Sequence, residues 1–138
     1  MSDLYGAMTI SAFGMKAQSQ RVRVIAENMA NASTAANKPG EDPYTRKTIT
    51  FKNEMDRSKG MDLVQVDKIE EDKKQPFILK YNPDHPGADE KGYVKMPNID
   101  PIIETMDMRE AQRSYEANLG MIDQSRNMIM QTIDLLRK

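Results

Sequence analysis

Residues 4–32 read LYGAMTISAFGMKAQSQRVRVIAENMANA, and the spacing of their apolar residues indicates the fold class. Apolar and small residues recur alternately four and three positions apart, which is typical of the seam of a heptad helix. No proline interrupts the run, and Asp3 is a suitable N-cap. The spacing predicts a helix of roughly 45 Å at 1.5 Å per residue. Its seam comprises Leu4, Met8, Ser11, Met15, Gln18, Val22, Ile25, Met29 and Ala32.

A second apolar stripe lies on the same segment. Ile10, Phe13, Ala17 and Val24 keep the rhythm of the seam but are displaced by two positions, which is about 200° around a helix. One partner helix cannot cover both sides. We therefore expect Ile10, Phe13 and Val24 to face another subunit.

The C-terminal segment repeats this organisation. Asp100 and Pro101 form an N-cap and first-turn pair, because proline lacks only a donor that the first turn leaves unused. The predicted seam of this second helix comprises Met108, Gln112, Tyr115, Leu119, Ile122, Arg126, Ile129, Ile133 and Leu136. A displaced stripe comprises Ala117, Met121, Met128 and Leu135. We expect Met121 and Met128 to contact other subunits.

Between the helices the sequence predicts loops and short strands. Residues 44–51, 61–69 and 93–96 have β-branched or aromatic character, and Phe77, Leu79 and Tyr81 alternate. Residues 82–92 (NPDHPGADEKG) are rich in turn formers and predict an exposed loop. The predicted fold is mainly α with a small β insert. It has an N-terminal helix in residues 1–35, an insert of short strands and loops in residues 36–99, and a C-terminal helix in residues 100–138, with the two helices pairing as a coiled-coil hairpin.

The composition argues against several functional classes. A length of 138 residues fits one domain. The net charge of -1 gives no electrostatic sign of nucleic-acid binding, and no apolar run is long enough to span a membrane. The absence of cysteine, together with a single histidine, excludes disulfides, a thiol nucleophile and a two-histidine zinc site. Twelve methionines and no tryptophan favour adaptable helical interfaces.

One loop could carry chemistry. Asp84, His85, Asp89 and Glu90 are the only candidates for a metal site or an acid and base pair. Prolines and a glycine explain the same segment as a turn, and Pro86 and Ala88 stand where an EF-hand needs ligands. We expect no cofactor and no metal.

Several motifs carry a family resemblance. Residues 11–31 (SAFGMKAQSQRVRVIAENMAN) resemble the N-terminal signature of bacterial flagellar rod and hook proteins, which ends in Asn-x-Ala-Asn. Residues 83–95 (PDHPGADEKGYVK), Pro97-Asn98 and residues 113–118 (RSYEAN) resemble the type C family of proximal rod proteins of the flagellar basal body. Met29 replaces the usual Ile in the first motif. The motif residues are Asn28, Ala30, Asn31, Tyr115, Glu116, Ala117 and Asn118.

The resemblance implies a non-enzymatic structural subunit of the rod that crosses the periplasm. Such a subunit would assemble with copies of itself and with other rod proteins into a helical tube that transmits motor torque and forms part of the export channel. Export through the flagellar type III apparatus would agree with the lack of a cleavable signal at the N-terminus. The resemblance also implies terminal helices that pair in the inner layer of the tube. Repeating heterologous contacts generate filaments rather than closed dimers.

Two alternatives stay open at this point. The first is an intracellular coiled-coil adaptor, which would be a stable dimer with fully helical ends. The second is a small hydrolase that uses the His85 loop, which predicts that His85→Ala removes an activity.

Overall fold

The computed structural model describes residues 2–137, which form two helices and four strands in the order α1, β1, β2, β3, β4, α2. The helices are α1 (Ser2–Asn31) and α2 (Pro101–Leu136). The strands are β1 (Lys47–Asp56), β2 (Met61–Glu71), β3 (Ile78–Tyr81) and β4 (Tyr93–Met96). The prediction of a mainly helical chain with a small β insert is confirmed. Neither of the helices has a stretch apolar and long enough to cross a bilayer.

The predicted start of α2 is confirmed in atomic detail. Asp100 Oδ1 accepts a hydrogen bond from the Ile102 amide at 2.9 Å, and Pro101 occupies the first helical position. Helix α1 ends at Asn31, where the Thr34 amide donates to the Asn31 carbonyl at 3.0 Å. The prediction of Asp3 as N-cap is wrong, because α1 already begins at Ser2 and Asp3 lies inside its first turn. A negative charge at that position still interacts favourably with the helix dipole.

The strands differ from prediction mainly at β1. It begins at Lys47 rather than at residue 44 and continues past Phe51 to Asp56. The charged end of β1 is extended because β2 supplies backbone partners, and such pairing overrides side-chain propensity. The connecting turn ends at Gly60, whose positive φ of 65° favours glycine, and its amide donates to the Asp56 carbonyl at 2.8 Å.

The second sheet, formed by β3 and β4, agrees closely with the prediction from the sequence. Strands β3 and β4 pair antiparallel with Ile78 opposite Met96 and Tyr81 opposite Tyr93. The span of β4 is the predicted one, and residues 82–92 form turns between β3 and β4, as predicted.

The chain divides into two compact units, and each takes residues from both helices and from the β1–β2 hairpin. Unit 1 contains α1 up to Val22, residues 50–68 and α2 from Arg109 onward. Unit 2 contains Arg23–Ile49 and Ile69–Met108.

Small side chains dominate the interior of unit 1. Its buried residues are Ser11, Ala17, Leu63, Ala111, Ser125 and Ile129. Gly14 of α1 lies so close to α2 that a Cβ added there would be 2.8 Å from Asn118 Oδ1.

Unit 2 has an apolar core with polar groups built into it. The apolar members are Val24, Ile25, Ala36, Val94, Pro97 and Ile99. The buried polar members are Asn28, Asn98 and Glu104. Buried polar groups need hydrogen-bond partners, and here these three form one network.

Candidate functional site

In the unit 1 part of helix α2 two small residues are buried and several large apolar residues are exposed, although the large Ile129 is buried as well. Ala111 is fully buried, and Ser125 is 3% exposed. Met121, Met128 and Leu135 recur at intervals of seven and are 52%, 43% and 75% exposed. A helix whose packing partners all lie in its own chain buries its large apolar side chains, since these gain most free energy from leaving water. The large groups of α2 are therefore available to other molecules.

The residues predicted for the helix-pairing seam are distributed over all degrees of exposure. Ile25 and Ile129 are buried, while Leu4, Met8, Met15, Val22 and Ile122 are half-buried. The exposed members are Met29, Tyr115, Leu119, Ile133 and Leu136. Their assignment to a pairing seam stays a prediction.

The predicted inter-subunit face is largely, but not wholly, accessible. Ile10, Met121 and Met128 are exposed and Phe13 is half-buried, whereas Val24 is only 4% exposed because unit 2 covers it. Phe13 helps to line a groove of about 370 Å³ within unit 1. The α1 wall of this groove contains Phe13, Lys16, Ala17 and Gln20, and the β2 wall contains Val64, Gln65 and Val66.

Asn28 is the centre of the polar network in unit 2 and is 1% exposed. Its Nδ2 donates to the Lys47 carbonyl at 2.8 Å, and its Oδ1 accepts from the Lys47 amide at 2.9 Å. The Tyr44 hydroxyl donates to the same Oδ1 at 3.1 Å. Asn28 Nδ2 also donates to Glu104 Oε2 at 3.2 Å. An asparagine inside α1 thus binds both the chain entering β1 and the first turns of α2.

Arg46 completes the network from the other side. Its Nε donates to Glu104 Oε1 at 2.5 Å, and Glu104 is fully buried. Its guanidinium also lies 3.5 Å from the Asp107 carboxylate and 3.8 Å from that of Asp72. Asn98 holds the Arg46 backbone, because its Oδ1 accepts from the Arg46 amide at 2.8 Å.

The family motifs have distinct structural roles. Asn31 Nδ2 donates to the Glu27 carbonyl at 2.8 Å, and Asn118 Nδ2 donates to the Ser114 carbonyl at 2.8 Å beside Gly14. The remaining motif residues, which are exposed, are Ala30, Tyr115, Glu116 and Ala117.

The His85 loop is organised as a turn. His85 Nδ1 accepts from the Gly87 amide at 3.0 Å, and Asp89 Oδ1 accepts from the Tyr93 amide at 2.8 Å. Gly87 is required by space, because a Cβ there would lie 2.0 Å from the Ala36 carbonyl oxygen. Within residues 2–137, no group of three or more histidine, aspartate or glutamate side chains is arranged to hold a metal ion.

Ion pairs and burial shift the pKa of three groups beside Asn28. The Lys47 ammonium, 3.0 Å from Glu27 Oε2, lowers the pKa of that carboxyl, and this hydrogen bond in turn raises the pKa of Lys47. Burial raises the pKa of the Tyr44 hydroxyl. Lys47 and Tyr44 therefore both keep their protons at neutral pH, and the hydroxyl stays a donor to Asn28.

Sequence reasoning missed the partners of Asn28. It named Asn28 only as a residue of the family motif and assigned no role to Arg46 or Glu104. One signal could have found Glu104: positions 104, 111, 118 and 125 form a heptad line that includes Asn118 and three buried residues. Small and polar residues occupy this line, so a search for apolar spacing passes over it.

Comparison with known proteins identifies the family. Residues 90–135 match the family model described as the C-terminal region of flagellar basal body rod FlgEFG protein. The chain is 47% identical to the flagellar basal-body rod protein FlgC of Agrobacterium fabrum, over 99% of this chain and 98% of that protein. It is 37% identical to FlgC of Aquifex aeolicus, over 97% and 98% of the two chains. For FlgC of Escherichia coli O157:H7 the identity is 36%, over 96% and 97%. The chain therefore belongs to the FlgC family that its motifs indicated and is a structural protein of the flagellar basal-body rod.

Proposed function

We propose that the chain is a subunit of the proximal part of the rod, where it packs against copies of itself and other rod proteins in a helical tube. The observation that carries this proposal is the burial pattern of α2, in which Ala111 and Ser125 are buried while Met121, Met128 and Leu135 stay exposed. Large exposed apolar side chains that share one face of a helix are typical of a protein interaction site. Contacts between different surfaces of identical subunits propagate into filaments.

The exposed stripe has the chemistry of a buried interface. Its members between Met121 and Leu135 carry no charge, and charged residues are depleted from interface cores. They are Met121, Met128 and Leu135 of the predicted stripe, together with Gln124 and Gln131, which lie between them on the same side of the helix. Flexible methionine side chains can adjust to the slightly different neighbours met along a helical tube.

The terminal helices pair as an antiparallel coiled-coil hairpin in this proposal. Two contacts within unit 1 support it: Arg21 of α1 lies 3.3 Å from Glu110 of α2, and Gly14 packs against Asn118. Higher residue numbers in α2 thus contact lower residue numbers in α1, as in an antiparallel pair. Residues 1–35 and 100–138 would form the inner core of the tube, and the insert, residues 36–99, would lock adjacent subunits against sliding under torsion.

The proposal includes the route and the task of the subunit. It leaves the cell interior through the flagellar type III export apparatus, joins the rod in the periplasm and helps to enclose the export channel. Its contribution to motility is mechanical transmission of torque. No enzymatic activity is part of it, and the hydrogen bond that His85 Nδ1 accepts from Gly87 supports a turn-forming role for that loop.

A deletion experiment tests the proposed function. Cells that lack the protein should lose rod, hook and filament together while they keep the membrane ring, as judged by electron microscopy of isolated basal bodies. Rods of normal length in the deletion strain would refute the proposal.

A double variant tests the interaction surface. Met121→Asp/Met128→Asp places two charges on a stripe that should be buried in the tube, where an unpaired charge is costly. Since both side chains are exposed in the free chain, its circular dichroism should not change, yet no rods should form. Asn127→Asp adds one such charge about 100° away from Met128 on α2 and should leave motility normal. Normal motility of the double variant would count against this surface.

Phe13→Asp tests the corresponding surface on α1. The variant should still be exported but should not assemble into rods, because Phe13 lies on the predicted inter-subunit face and lines the groove against β2. Full motility with this variant would exclude Phe13 from the subunit contacts.

A further inference from the structure

The Asn28–Arg46–Glu104 network, here called the polar joint, places charged groups in the interior at a cost in desolvation free energy. Glu104 is fully buried and the Arg46 side chain is 22% exposed, so both charges have lost most of their water. An apolar pair of the same shape often gives equal or greater stability than a buried ion pair. Stability alone therefore does not explain why charged groups occupy this position.

Directional bonding is what the polar joint has and an apolar core lacks. Apolar packing resists separation of surfaces but has no preferred orientation, since the hydrophobic effect depends on area. Hydrogen bonds weaken steeply with distance and angle. A network of them inside a low-dielectric interior therefore holds its members at one relative position.

The polar joint connects three pieces of chain pairwise. Helix α1 is tied to the chain entering β1 by the two bonds between Asn28 and the Lys47 backbone. That chain is tied to α2 by the Arg46–Glu104 pair, and α2 is tied back to α1 by Asn28 and Glu104. Displacement of any one of these three pieces relative to the other two therefore strains two of the connections.

The contacts between α1 and α2 differ in how deeply they are buried. In unit 1 an α1–α2 ion pair joins Arg21, whose side chain is 20% exposed, to Glu110, whose side chain is 67% exposed. A pair with one partner this exposed contributes little, because water and salt screen it. The Asn28–Glu104 contact in unit 2 is buried, so it is not screened in this way.

We infer that the polar joint is the point within each subunit through which twisting load passes between the two terminal helices. Asn28, Arg46 and Glu104 act as positioning residues, since they fix helices whose surfaces make the subunit contacts. This inference rests on the proposed torque-transmitting function. It adds that rod assembly and resistance to torque depend on different residues of the same chain.

The test separates these two properties. Arg46→Met/Glu104→Leu replaces the pair by apolar side chains of similar volume, so the protein should fold and the rods should form. Cells carrying it should swim normally in dilute medium, where the load is low. In viscous medium, where the motor delivers high torque, they should lose rotation and shed broken rods with attached hooks. Arg21→Met/Glu110→Leu is the matched control and should swim like the parent strain in both media.

The outcomes are distinct. Normal rotation of Arg46→Met/Glu104→Leu cells under high load would overturn the inference while leaving the proposed function intact. If that variant makes no rods, the single variants Arg46→Lys and Glu104→Gln decide. Arg46→Lys keeps the charge and Glu104→Gln keeps the shape, and each weakens the charge-assisted bond. Load-dependent loss of rotation in these two supports the inference, and full rotation under high load overturns it. Failure of the proposed function would instead appear as rods present in the deletion strain.

Discussion

The side-chain amide of Asn28 pairs with the backbone C=O and N–H of Lys47 as a residue of a neighbouring strand would, with one bond donated at 2.8 Å and one accepted at 2.9 Å. Lys47 is the first residue of β1. A residue of α1 therefore satisfies the backbone at the start of the hairpin, and it does so while also touching Glu104 of α2. The Asn-x-Ala-Asn motif therefore makes tertiary contacts through Asn28 in addition to standing at the end of α1.

Substitution of Asn28 should be severe. Asn28→Leu would leave the Lys47 peptide and Glu104 Oε2 short of partners. Each buried group left without a hydrogen bond costs about 1–3 kcal/mol. We predict that the free energy of unfolding, measured by urea denaturation, falls by at least about 2 kcal/mol. Asn37→Leu, at an exposed position, should change it by less than about 0.5 kcal/mol. Equal effects of the two substitutions would contradict the role assigned to Asn28.

Two glycines should respond in opposite directions to alanine. Gly87→Ala places a methyl group against the Ala36 carbonyl oxygen and should lower stability by about 1–3 kcal/mol. Gly120 lies inside α2 with nothing within 4 Å of an added Cβ, so Gly120→Ala should raise stability by about 1 kcal/mol through helix propensity. Thermal unfolding of the free chain measures both. A stabilising Gly87→Ala would show that the loop and residue 36 do not approach each other as described.

The contribution of the α2 N-cap to stability can be measured by substitution of Asp100 alone. Asp100→Ala removes the acceptor of the Ile102 amide and should cost about 1 kcal/mol. Asp100→Ser keeps a capping oxygen and should recover most of that loss. Chemical denaturation of the three proteins compares them, and an Asp100→Ala chain as stable as the parent would argue against a functional cap.

The Glu27–Lys47 pair makes a pH-dependent contribution whose sign follows from the two pKa shifts. The pKa of Glu27 is lowered from 4.5, so its contribution is present above pH 4.5 and is lost as pH falls through the lower folded value. The pKa of Lys47 is raised from 10.5, so its contribution is present below pH 10.5 and is lost as pH rises through the higher folded value. Between these limits the contribution should be constant.

Glu27→Gln tests that window. The variant should be less stable than the parent at pH 7, and the difference should shrink as pH falls below 4.5. Unfolding curves recorded at several pH values measure it. Arg23, which also pairs with Glu27 at 3.5 Å, stays in place in both proteins. A difference that persists unchanged in acid would mean that the ion pair is not its source.

The sequence by itself determined the features that depend on neighbours a few positions away. Heptad spacing without proline gave α1 to within one residue of its end, and Asp100 with Pro101 marked the start of α2. Turn formers placed the loop before β4, and the motifs identified the family. Local hydrogen bonds, backbone preferences and steric limits decide these features, so a single stretch of chain contains the necessary information.

Only the tertiary structure decided which groups are covered and which polar groups meet. Arg46 and Glu104 are separated by 58 positions, and no local pattern relates them. The burial of Val24 and the exposure of Leu119 likewise depend on what packs beside each helix, as does the extension of β1 to Asp56. Apolar spacing marks residues that avoid water, but the partner that covers each one is set by the placement of distant parts of the chain.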